Sequence, residues 1–112
     1  MSRQIFDFLA ARSSTPIVAI GEPAPSADDL RDILRVASRV PDHGKLAPWR
    51  FIIYRGDARH QVGEYLVRRA EEREGPLTDA RKEQERTRFS RAPLVVGVIF
   101  SPVASEKIPQ WA

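Results

Sequence analysis

The densest chemistry in the sequence lies in SRVPDHGKLAPWRFIIYRG, residues 38–56, where Arg39, His43 and Lys45 sit beside Pro41 and Pro48. A guanidinium where a helix gives way to a proline-bounded loop can be aimed into a cleft, with forked donors suited to an anion. A histidine in such a loop can stack on or hydrogen-bond to a planar ligand, and a nearby lysine can interact with an electron-rich ring. A plainer reading stands beside this one. Arg31, Arg35 and Arg39 recur every four residues, as on a solvated helix face, and Asp42 with His43 can simply build a turn through side-chain-to-backbone bonds. A second candidate is Arg12-Ser13-Ser14, where a guanidinium, hydroxyls and free backbone N–H groups suit a phosphate. Equally, Arg12 can be a basic residue complementing a helix C-terminus, followed by turn residues.

Other chemistries find no support. No Gly-x-Gly-x-x-Gly follows a strand and no Walker-type loop is present. Neither His43 nor His60 has a second histidine at metal spacing, so no metal site is expected. Nothing marks a nucleophile, and no catalytic side chain is assigned. Trp49 reads as core rather than ligand platform, and His60 as surface.

The chain has 112 residues, 42% of them hydrophobic and 29% charged, which suits one domain. There is no cysteine, which excludes disulfides and thiolate metal sites and fits a reducing compartment. Asp7 interrupts the short apolar face of MSRQIFDFLAAR, so no signal peptide is read. The longest apolar run, Leu94 to Phe100, is far short of a membrane span. A cytoplasmic location follows as the expectation. The net charge is +3, but basic residues after Asp57 alternate with glutamates in RRAEEREG and ARKEQERTR. That mixing describes solvated helix faces rather than a phosphate-tracking stripe, so no nucleic-acid partner is expected.

The elements that must position these residues read in the order α, α, β, α, α, β. Residues 3–12 place Ile5, Phe6 and Leu9 on one side of a short helix. SSTPIVAIGEPAPS is an extended connection. Ser26 caps a second helix, with Leu30, Ile33, Leu34 and Ala37 as a core-facing stripe and Val40-Pro41 as its end. RFIIYR is a strand closed by Gly56-Asp57. Ala58–Glu74 is helical with Val62, Tyr65 and Leu66 on its apolar side, and Gly75-Pro76 stops it. Thr78 or Asp79 caps a polar helix running to about Ser90. APLVVGVIF has the continuous apolar character of a strand buried on both faces. Two strands make no independent sheet, so further strands are expected from a partner subunit or from sequence beyond Ala112.

Together ARS near the N-terminus, the EPAP connection, ILRVASRVPDHGKLAPWRF and RAPLVVGVIF resemble the flavin-dependent nitroreductase family. The likeness is closest to its compact subgroup with Arg-x-Pro-Asp-His followed by Pro-Trp-Arg-Phe. KIPQW is similar to the segment that leads into that family's central helix. The resemblance implies an α+β fold, a central sheet flanked by helices, of which residues 1–112 would be the N-terminal portion of a single domain, incomplete in this chain. It implies an intertwined homodimer with FMN at the subunit interface and NAD(P)H as electron donor. Electrons would pass by a ping-pong mechanism to a nitro compound, quinone or related small-molecule acceptor, with the flavin carrying the chemistry. Carried over by motif, Arg12 and Ser13 match the pair on the FMN phosphate side, and Arg39 and His43 match flavin contacts.

Two features depart from that pattern. Ala11 stands where the subgroup usually has a first arginine, which removes one phosphate contact. The family also continues past KIPQW with a long dimer-forming helix, strands and more FMN contacts. A non-catalytic fragment or interaction module of the same fold is therefore the competing expectation.

Overall fold

The computed structural model describes residues 2–104 and Glu106. The Lys107–Trp111 segment, read above as a lead-in to a central helix, lies outside the described residues, as does the side chain of His43. The elements are α1 (Arg3–Ala11), α2 (Ala27–Ala37), β1 (Trp49–Arg55), α3 (Ala58–Glu74), α4 (Asp79–Arg86) and β2 (Leu94–Phe100), with short 3-10 turns at Ile17–Ala19 and His43–Lys45. The fold is α+β in the expected order, but the described residues form only a two-stranded sheet, short of a complete central sheet.

Local chemistry explains most boundaries. Ser26 Oγ accepts the Asp29 N–H at 3.1 Å, and Thr78 Oγ1 accepts that of Arg81 at 3.2 Å, so both helices start on a side-chain cap. Gly75 ends α3 with φ 82°, its N–H returning to the Glu71 carbonyl. The end of α2 differs from expectation. The helix stops at Ala37 rather than at Val40-Pro41. The Ser38 N–H and hydroxyl still donate to the Leu34 carbonyl, at 3.0 and 2.9 Å, but the Arg39 N–H turns to the Val36 carbonyl at 3.0 Å, a tighter bond that closes the last turn. The helix ending near Ser90 likewise stops at Arg86, where Thr87 Oγ1 donates to the Glu83 carbonyl at 2.8 Å.

The packed centre is small. β1 and β2 pair antiparallel, with Trp49 opposite Phe100 and Arg55 opposite Leu94. The α3–α4 hairpin joins them and α3 packs on β1. The Tyr54 and Phe89 rings meet edge to face at 5.2 Å, and Arg59 donates to the Ala92 carbonyl at 2.6 Å, tying the start of α3 to the approach to β2. The apolar side of α3 is rotated from the expected one: Gly63, Val67 and Ala70 are buried, whereas Tyr65 is exposed. Gly63 is where α4 comes closest. A Cβ there would overlap the Arg86 carbonyl oxygen and lie 2.9 Å from its carbon.

The charged runs are paired as their mixing suggests. Lys82 meets Glu71, Arg81 meets Glu74, and Arg86 meets both Glu64 and Glu83. Exposed pairs of this kind contribute little individually. Glu85 is different, because it is only 7% exposed and receives hydrogen bonds from both Arg81 and Arg88. Those bonds, Arg81's first, hold its carboxyl below the ordinary glutamate value against the opposing effect of burial.

Elsewhere the apolar faces are uncovered. β2 is not buried on both faces: none of its residues is buried, and Val98 and Phe100 are 69% and 71% exposed. Its apolar run reflects cover that the described residues do not provide. The stripe of α2 is also open, with Ile33 52% exposed, and neither α1 nor α2 packs substantially on another element. The radius of gyration is 18.3 Å, against about 13 Å for a compact domain of this length.

Two outcomes follow from the α3–α4 contact. Gly63→Ala would gain helix propensity, but the clash with backbone prevails, and urea denaturation should show a net loss of about 1–3 kcal/mol. A gain in stability would contradict the packing. For Glu85, a folded pKa below the unfolded one means a contribution fully present above about pH 4.3 and lost as pH falls through the folded value. Wild type should therefore melt above Glu85→Gln at neutral pH, with the gap closing on acidification; a pH-independent gap would contradict it.

Candidate functional site

The Asp42 carboxylate closes the turn after α2 by accepting the Ala47 N–H at 2.7 Å. Within this turn Gly44, Lys45 and Ala47 have left-handed φ values of 67°, 54° and 46°. The Trp49 N–H then returns to the Ala47 carbonyl at 2.7 Å, and β1 begins. The turn-building reading of Asp42 is therefore what the structure shows.

Between the end of α2 and the start of β1 lies an open cleft of about 720 Å³ lined by Ser38, Arg39, Val40, Asp42, Lys45, Ala47 and Trp49. That volume lies within the usual range for small-molecule sites. The walls combine two cations, one carboxylate, an indole and small apolar groups. Trp49, read from the sequence as core, is half-buried and contributes to the wall.

The repeating arginines now separate. Arg31 pairs with Asp28 at 3.2 Å and Arg35 with Asp32 at 3.0 Å, each with the acid three residues earlier on the helix. For Arg39 the corresponding residue is Val36, and among the described residues Arg39 has no carboxylate partner. Because α2 ends at Ala37, Arg39 stands beyond the helix rather than in its last turn. Lys45 also has no ion-pair partner among the described residues. Two uncommitted cations thus share one cleft.

The other expected residues are placed differently. Arg12 and Ser13 follow α1, exposed, and do not line this cleft. The Arg12 N–H caps α1 on the Leu9 carbonyl at 3.3 Å. His43 opens the 3-10 turn in the cleft loop. His60 is exposed on α3, as expected. Among the described residues no cluster of metal-ligating side chains occurs, and no helix is long and apolar enough to cross a membrane.

Asp42 and Trp49 are the parts of the site that residue-by-residue reading undervalued. The signal available was the proline-bracketed Asp-His before an aromatic strand start. It offered Asp42 as a turn builder, but did not show that the turn would place it in one wall with Arg39, Lys45 and Trp49.

Comparison with known proteins adds a family. The Nitroreductase family model matches residues 21–111, a span that includes Arg39 and His43 and begins after Arg12 and Ser13. The chain is 32% identical over 92 residues to "Putative NAD(P)H nitroreductase YdjA" of Escherichia coli K12, covering 82% of this chain and 49% of that protein. It is 34% identical over 91 residues to a Haemophilus influenzae Rd protein bearing the same activity in its name, covering 80% of this chain and 48% of the relative. The chain spans about half the length of these curated relatives.

Proposed function

This chain belongs to the nitroreductase family, and from that premise we propose that it is the N-terminal portion of an FMN-dependent oxidoreductase passing electrons from NAD(P)H to nitro compounds, quinones or related acceptors. The observation that carries the reading is Arg39, an arginine left without an acidic partner among the described residues where its helical neighbours have one, standing in a cleft with Lys45 and Trp49.

The donor set fits FMN. A flat isoalloxazine and an anionic phosphate call for an aromatic or apolar wall and uncommitted cations, and the cleft supplies both kinds of group. Arg39 and His43 are the residues proposed to hold the ring, with Arg12 and Ser13 on the phosphate side. When bound, the flavin supplies the redox chemistry, taking a hydride from NAD(P)H and passing electrons to the acceptor in alternation. The protein's part is to bind, orient and shield, so no side chain is required as acid or base.

We further propose a homodimer with the cofactor at the interface. Supporting this, the accessible surface is 9215 Å², about 3,000 Å² more than a folded chain of this mass normally exposes. Two copies together would carry about 6,000 Å² of such excess, enough for the roughly 2,000–5,000 Å² or more that obligate dimers bury in total. A second copy would cover α1, α2 and the outer sheet face, and could bring an Arg12-Ser13 pair to the cleft.

FMN titrated into the 112-residue protein, followed by flavin fluorescence, tests the reading. Saturable quenching is expected, with Arg39→Ala binding about tenfold more weakly or worse and Arg35→Ala binding like wild type. Failure of a folded wild-type chain to bind would favour the non-catalytic fragment. Equal losses in both variants would remove Arg39 from its role.

A further inference from the structure

Left-handed backbone at Lys45 and Ala47 is unfavourable for residues that carry a Cβ, and it persists only where surrounding structure imposes it. Besides the Trp49 N–H on the Ala47 carbonyl at 2.7 Å, three contacts hold it here. The Asp42 carboxylate takes the Ala47 N–H at 2.7 Å, drawing the loop closed across the intervening residues. The Asp42 carbonyl takes the Lys45 N–H at 3.4 Å. The Pro48 carbonyl takes the Ser101 N–H at 2.7 Å, which fastens the far end of the turn just past β2. Only the first of these comes from a side chain.

Asp42 also lines the cleft, where a carboxylate would ordinarily compete for the cations. It does not: among the described residues it forms no ion pair with Arg39 or Lys45. One of its oxygens, Oδ2, is committed to backbone, and neither cation is paired with Asp42.

We propose that Asp42 is a positioning residue of the cofactor cleft. Acting through the Ala47 N–H, it holds the left-handed turn that places Lys45 and Trp49 in one wall with Arg39. The inference rests on the flavin reading of this cleft, and it concerns preorganisation rather than contact with the ligand. A purely electrostatic role for Asp42 would have the opposite sign, because removing a negative charge beside an anionic ligand tightens binding.

The test compares Asp42→Ala with Asp42→Asn, whose side-chain oxygen can accept the same N–H. FMN affinity is read by fluorescence titration and the Ala47 amide by hydrogen exchange, with urea midpoints as the folding control. Asp42→Ala should bind FMN about tenfold more weakly and exchange faster at Ala47, at an unchanged midpoint. Asp42→Asn should restore both to near wild type. Tighter or unchanged binding in Asp42→Ala would overturn the inference while leaving the flavin reading standing. Equal weakening in both variants would also overturn it. Should Asp42→Ala not fold, the Asn variant decides alone: retained affinity supports the hydrogen-bond role and lost affinity refutes it. No binding by folded wild type would overturn the flavin reading and this inference together.

Discussion

Apolar surface that the described residues cannot cover governs the arrangement of the whole chain. Helix stripes and sheet faces are stable only when packed on another layer, and here one such pairing is made. The α3–α4 hairpin, closed on Gly63 and bridged by the Lys82–Glu71 and Arg86–Glu64 pairs, covers part of β1. The remaining faces, on α1, α2 and the ends of β2, stand open. So does a groove of about 450 Å³ lined by Ile17, Ile20, Phe89 and Leu94 among others. Their apolar residues were placed by the requirements of a larger core than these residues assemble.

The cleft obeys the same constraint. Its walls come from the last residues around α2 and the first of β1, two elements that do not pack against one another substantially. What gives the cleft definition is local: the Arg39 N–H bond to Val36 that closes α2 early, and the Asp42 bond to Ala47 in the turn before Trp49. Local backbone chemistry can therefore define a cleft even where the elements around it are barely packed. Among the described residues no local interaction carries α1 to the cleft, and Arg12 and Ser13 do not line it.

Features written in short-range chemistry were legible in the sequence. Ser26 as a cap, Gly75 as a stop and the two apolar runs as strands all fell where expected, because a few neighbouring residues decide them. The Pro-Asp-His and Pro-Trp-Arg-Phe blocks pointed to the family that the comparison shows. Features decided by packing or by non-local geometry were not legible. β2 reads as buried because its composition anticipates neighbours that are not among the described residues. Glu85 reads as a solvated residue in a charged run; its partners Arg81 and Arg88 lie within about one helical turn of it and were there to be read, but its burial was not. Arg39 stands out in the sequence by its place where the helix breaks, but only the pairing of Arg31 and Arg35 with aspartates three residues earlier shows how it differs from the repeat. Ala47 gave no sign of its positive φ, which depends on a carboxylate five residues earlier.

Sedimentation equilibrium of the 112-residue protein tests most directly whether a second copy supplies the missing cover. The account predicts a species of twice the 12.7 kDa chain mass at micromolar concentration, dissociating only as the protein unfolds. A monomer at all concentrations, unfolding in one sharp cooperative transition, would contradict it.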